Sequence, residues 1–245
     1  MISILTLTPY GFWRKAHAVH HATSGNLGQR GVGDIDTLTV REYRALPWRR
    51  RLSYRFYRNP LVLLVVGAPV HFMVLQRIPV GLSPSVKDGW RSVLAHDLAL
   101  AVVFGVLVAV VGWQAVVMTY VPMFIVAAWI GGWLFFIQHQ FENTRWEADE
   151  AWDFHAVALM GSSYYVLPRV LQWFTGNIGL HHIHHLCGKI PNYRLQECLD
   201  GSPELQAMSR LTFRESLKCV RLALWDEDRR RLVGFRHLRA LPAAA

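Results

Sequence analysis

At 245 residues the chain has room for one or two domains, and with 52% hydrophobic and only 18% charged residues it is more apolar than soluble proteins of this size usually are. A net charge of +9 and a pI near 9.9 would suit a nucleic-acid binder, but the arginines flank apolar stretches instead of forming one face, which argues against nucleic acid and for a membrane with a positive inside. Cys187, Cys198 and Cys219 form no C-x-x-C pair and leave an odd count, which excludes a disulfide framework and points to a reducing compartment.

Residues 1–12 are apolar but too short to span a bilayer, and they lack the basic start and cleavage site of a signal peptide. The stretch from Trp13 to Gly28 is expected to be helical and carries His17, His20 and His21 in an H-x-x-H-H spacing. Positions i, i+3 and i+4 share one helix face, so three ring nitrogens converge. Asn26-Leu27-Gly28 and Gly31-Val32-Gly33 break this helix. A polar turn, Gly33-Asp34-Ile35-Asp36, then leads to the basic linker of Arg41, Arg44, Arg49, Arg50, Arg51, Arg55 and Arg58.

The apolar stretch 59–76 is short and holds Pro60, Gly67, Pro69 and His71; it is expected to lie in the interface or to re-enter without crossing. From Leu98 to Phe141 there are 44 residues without a single Asp, Glu, Lys or Arg. A spanning helix needs about 20 residues, so this run is read as two spans, the first reaching back to Val93, the second from Ala115 to Phe136, with a turn near Gly112-Trp113-Gln114. Two crossings return the chain to the face it left, which brings His139 and the later histidines to the side of the first run. Residues 143–174 are read as an interfacial helical segment. The stretch Thr175–His185 carries His181, His182, His184 and His185, repeating the H-x-x-H-H spacing. The remainder, to about Arg239, is read as an amphipathic helical cap. The fold expected is therefore all-α: a multi-pass membrane helical bundle with a cytosolic histidine-rich cap.

Two imidazole triads of equal spacing point to a first-row transition metal. Zinc is satisfied by four ligands, whereas six or seven histidines suffice for two metals. Ligating imidazoles need their second nitrogen hydrogen-bonded, and Asp34, Asp36, Glu142 and Asn177 are near enough in sequence to do this; turn and cap chemistry is the equal alternative for each.

The runs Trp13–Ala22, Gly33–Leu38, Gln138–Glu142 and Gly176–His185 resemble the membrane fatty acid desaturases, in particular their bacterial acyl-lipid branch. The resemblance covers roughly residues 1–200. It implies a di-iron centre, activation of dioxygen with two electrons from a ferredoxin or cytochrome b5-type donor, and a cis double bond made in a fatty acyl lipid or acyl thioester. His17, His20 and His21 match the second histidine box, His181, His184 and His185 the third, and His139 the ligand between them. His182 falls off the box spacing and is assigned to the surroundings of the metal. The resemblance further implies a multi-pass protein of the bacterial inner membrane, its boxes on the cytoplasmic side, and one desaturase-like domain over 1–245. The family's first box, H-x-x-x-H on a helix upstream of the second, has no counterpart before His17, so an N-terminally truncated desaturase is expected. Within enzymes the alternative is another histidine-box hydroxylase or oxygenase; outside them it is an inactive membrane remnant.

Overall fold

The computed structural model describes residues 2–79 and 86–239, with backbone alone for residues 86–88. In chain order the helices are α1 (Ile2–Leu5), α2 (Tyr10–Thr23), α3 (Val40–Ala45), α4 (Trp48–Tyr57), α5 (Ala68–Met73), α6 (Val86–Val111) and α7 (Trp113–His139). Then follow α8 (Phe154–Met160), α9 (Arg169–Phe174), α10 (His181–Leu186), α11 (Leu195–Asp200), α12 (Pro203–Ala207) and α13 (Phe213–Cys219). Short strands β1 (Leu38–Thr39), β2 (Tyr164–Val166), β3 (Arg210–Thr212), β4 (Leu224–Asp226) and β5 (Arg231–Val233) interrupt them. The described chain divides into two compact units, Met1–His20 with Asn59–Trp133, and His21–Arg58 with Leu134–Ala245. The division falls inside the continuous helices α2 and α7.

In the first unit, α6 and α7 are the two described helices long and apolar enough to cross a membrane. Their break is at Gly112, whose φ of +83° is costly for any residue with a Cβ. This agrees with the turn expected from sequence. Leu98, Val106, Val110 and Met118 stay exposed, an arrangement suited to hydrocarbon and not to water. The stretch 59–76 folds as a π-helical run, Leu61–Gly67, followed by α5 and a single 3-10 turn, Leu75–Arg77. Gly132 of α7 allows close approach to α5, since a Cβ there would stand 2.5 Å from that of Ala68. Trp129 Nε1 donates to the carbonyl of Val65, in the π-helical run, at 2.9 Å.

A polar knot ties the N-terminal residues to this unit. Arg77 donates to Asp97 Oδ1 and His96 Nδ1, each at 2.8 Å, and to the Leu7 carbonyl. Because a guanidinium only donates, His96 Nδ1 accepts. Its Nε2 therefore carries the proton and donates to the Ser3 carbonyl at 2.9 Å.

The second unit contains the small sheets, and here the expectation of an all-α chain is corrected to mostly helical. β1 pairs parallel with β4, which pairs antiparallel with β5; β2 pairs parallel with β3. The expected interfacial helix over 143–174 is instead a 3-10 turn, α8, β2 and α9, broken at Gly161 and Pro168. The expected helical cap beyond Pro191 likewise contains the β4–β5 hairpin. Thr39 starts α3 with a capping box, its hydroxyl accepting from Glu42 N while Glu42 accepts from Thr39 N. Tyr43, Tyr54, Leu224 and Val233 form one buried cluster, and Tyr54 Oη donates to the Ala223 carbonyl at 2.6 Å. Arg58, 4% exposed, donates through its two terminal nitrogens to Gln140 Oε1 and the carbonyls of Leu222 and Asp36. A buried arginine with these partners fixes the start of the loop that follows α7.

Candidate metal centre

The last residue of α7 is His139. Its Nδ1 faces the carbonyl of Gly161 at 3.3 Å, which leaves Nε2 to point the other way, 3.0 Å from His181 Nε2. Gly161 ends α8, and a Cβ on it would come within 2.7 Å of the Val157 carbonyl; only glycine fits there. Thr144 Oγ1 donates to the same Gly161 carbonyl at 3.2 Å. An orienting carbonyl behind a histidine fixes which nitrogen is presented.

Helix α10 presents His181, His184 and His185 from one face. Its approach is set by two successive left-handed residues, Gly176 at φ +63° and Asn177 at φ +56°, with Leu180 N bonded to the Asn177 carbonyl at 3.0 Å. Gly179 sits so close to Gln172 and the Tyr165 carbonyl, 2.7 Å from an added Cβ, that no side chain is accommodated. The opposite face of α10 is its anchor: Leu180 and Ile183 pack on Leu195 and Leu199 in a closed cluster.

These elements bring five imidazoles together. His139, His181 and His185 are all buried, with one ring nitrogen from each within 4.8 Å of the others. His21 Nε2 lies 3.1 Å from His184 Nε2, and the His21 ring stacks on His185 with centroids 4.1 Å apart. Nitrogen pairs 3.0–3.1 Å apart suit a bound metal: two nitrogens each about 2.1 Å from one ion and at right angles to it stand about 3.0 Å from each other. Imidazole suits iron as well as the later first-row ions and, being neutral, adds no charge of its own. On α2, His17 lies one helical turn before His21 and His20 immediately precedes it; His20 is buried, His17 half-buried, and their rings stack at 5.8 Å.

The other sequence candidates divide. Asp34 lines, with His139, Thr144 and Trp146, a cavity of about 10 Å³, room for about one water molecule. Asp36 is exposed and engages Tyr57 and Arg58 through its backbone, while Glu142 turns to Arg231 at 2.8 Å. Asn177 is a turn residue whose Nδ2 donates to the Asn192 carbonyl. His182 faces away from the other imidazoles: it stacks on Tyr164 and its Nε2 meets the Leu205 carbonyl at 3.0 Å. Burial pushes its pKa down to about 4, so it is neutral and that nitrogen is the donor. Gly161, the partner of His139, carries no sequence signal beyond that of a helix-ending glycine.

The fatty acid desaturase family model matches residues 1–216. A fatty acid desaturase of Bacillus subtilis strain 168 is 39% identical, aligned over 100% of this chain and 69% of its own length. The sn-1 acyl-lipid omega-3 desaturase (ferredoxin) of Synechocystis is 26% identical over 80% of this chain, which spans 54% of that protein. The Delta(12)-fatty-acid desaturase of Arabidopsis thaliana is 26% identical over 87% of this chain and 61% of its own length. With a matching family model over most of its length and a bacterial relative aligned throughout, the chain belongs to the fatty acid desaturases, a family of oxidoreductases.

Proposed function

We propose that this chain introduces a cis double bond into fatty acyl chains at a pair of iron ions held by seven histidines. The observation that carries the reading is the facing of ring nitrogens across elements distant in sequence, His21 with His184 at 3.1 Å and His139 with His181 at 3.0 Å. His17 and His20 repeat on α2 the i, i+3, i+4 spacing that ends at His21, and by that spacing they are the remaining two ligands of the seven. Bound iron supplies the reduction of dioxygen: two hydrogens leave a CH2–CH2 pair, two electrons and two protons are added, and two waters form.

The protein's own part is orientation and exclusion of water. Gly161 aims His139 through its carbonyl; the Gly176-Asn177 turn and the cluster under α10 aim His181, His184 and His185. Asp34, beside the water-sized cavity at His139, is suited to accept a hydrogen bond from a water there. The buried triad keeps bulk water from that half of the site, which strengthens each charge interaction inside.

Relatives in Synechocystis and Nostoc bear the name acyl-lipid desaturase (ferredoxin), which supports an acyl-lipid substrate and a ferredoxin donor for this chain. The two apolar helices and the arginines around them support a multi-pass protein with its histidines on the cytoplasmic side, with Leu61–Arg77 re-entering and not crossing. The test is lipid profiling of a host that makes only saturated acyl chains and expresses this chain with a ferredoxin and its reductase. New cis-monoenoic chains that vanish in His184→Ala support the reading; hydroxylated chains, or an unchanged profile, overturn it.

A further inference from the structure

The second unit carries a concavity that none of the histidine chemistry uses. It encloses about 840 Å³, and its wall includes Arg145, Arg210, Arg230, Asn143, Met208 and Trp225. Three guanidinium groups line it and no carboxylate does. Glu147, 8% exposed, lies behind the wall and pairs with both Arg145 and Arg230. One buried carboxylate thus fixes two arginines in place while cancelling only one of their charges. Arg210 is exposed and lies over the Tyr164 ring, 5.7 Å from its centroid, with no carboxylate among the residues of the wall. The basin therefore keeps about two positive charges that its own acids do not balance.

Its floor leads toward the histidines. Trp225, 3% exposed, lines the basin and packs with Trp146 and Leu232 in one buried cluster. Trp146 in turn lines the small cavity shared with His139. Thr144 and Arg145 belong to both walls, so two indoles and one short loop lie between the basin and a metal-binding imidazole.

We propose that this basin is where an acidic one-electron donor of the iron–sulfur class docks to reduce the metal centre; the inference rests on the desaturase reading above. Each docking oxidises one donor cluster and delivers one electron, so two dockings serve each double bond, and both electrons end in the water formed from dioxygen. Charge complementarity selects an acidic partner and speeds its encounter, while the buried indoles shorten the way to His139. A bilayer is the less suitable occupant. Helix α9 has the character of a lipid contact, with Trp173 and Phe174 more than 70% exposed, whereas the aromatic side chains of the basin, Phe141 and Trp225, are sunk in its floor.

The test uses the full chain in nanodiscs of zwitterionic lipid, with a plant-type [2Fe–2S] ferredoxin as the probe, and measures the Kd at low and at high salt. Arg210→Gln with Arg230→Gln is expected to weaken binding about tenfold and to flatten its salt dependence. Arg49→Gln with Arg50→Gln, an equal loss of charge on the exposed face of α4, is expected to stay within about twofold. Arg210→Gln alone, which leaves the Glu147 pairs intact, is expected to weaken binding by a smaller factor and guards against misfolding. Equal losses in the basin and control pairs, or none in either, overturn the proposal, as does displacement of the ferredoxin by phosphatidylglycerol vesicles. In the iron-loaded chain the basin variants should raise the KM for ferredoxin and spare kcat. If no double bond forms with any reductant while the binding pattern holds, the desaturase reading fails and the docking surface stands.

Discussion

His182 and His184 are two residues apart on α10 and do different work. His184 Nε2 faces His21, whereas His182 is an internal strut bonded to the Leu205 carbonyl. His184→Ala should therefore lose one iron and keep the melting temperature of the metal-free chain. His182→Ala should keep iron at saturating metal but strand a buried carbonyl and open a cavity, at a cost of about 2–4 kcal/mol. Metal analysis beside thermal denaturation separates the two. The cysteines make a second contrast: Cys187 is exposed and Cys219 buried, and burial raises the Cys219 thiol to about 11. At pH 8 a maleimide should modify Cys187 rapidly and Cys219 only after unfolding, as mass spectrometry of the labelled peptides will read.

Among the elements, α8 and α3 show how far local structure serves the site. Gly161→Ala forces a Cβ to 2.7 Å from the Val157 carbonyl and must shift the carbonyl that orients His139. Iron affinity should fall by about 10- to 100-fold, with the secondary structure retained, as equilibrium chelator competition will measure. In α3, Glu42 closes the capping box and bonds Arg30. That hydrogen bond, ahead of the opposing effect of burial, lowers the Glu42 pKa. A carboxylate with a lowered folded pKa contributes stability above its unfolded value and loses it as pH falls through the folded one. The melting-temperature gap between wild type and Glu42→Gln should thus be full at neutral pH and shrink once pH drops below about 4.

Elements set by local pattern were legible in the sequence, and those set by tertiary contact were not. The apolar run from Leu98 to Phe141 announced α6 and α7, and Gly112 their break, because composition alone decides them. The helical spacing of the imidazoles announced which of them share a face. What spacing cannot carry is direction. Asp36 and Glu142 are near the histidines in sequence, yet Glu142 is drawn away by Arg231, which is distant in the chain. The β4–β5 hairpin is equally hidden, since its strands are only three residues long and are held by the cluster around Tyr54 and not by a strand-like pattern.

For the molecule as a whole, the proposed topology has the two apolar helices joined at Gly112 each cross the membrane once. With α6 and α7 each crossing once, a cysteine placed at Trp113 should react with a membrane-impermeant maleimide added outside intact cells. Cys187, two residues past His185, should react only after permeabilisation. The central claim is that two groups of imidazoles each hold one iron ion. Its most direct test is iron stoichiometry of the purified full chain, alone and as His184→Ala and His181→Ala, by elemental mass spectrometry. The account predicts close to two irons per chain in the wild type and close to one in each variant; a wild-type chain that binds no iron, or variants that still hold two, would contradict it.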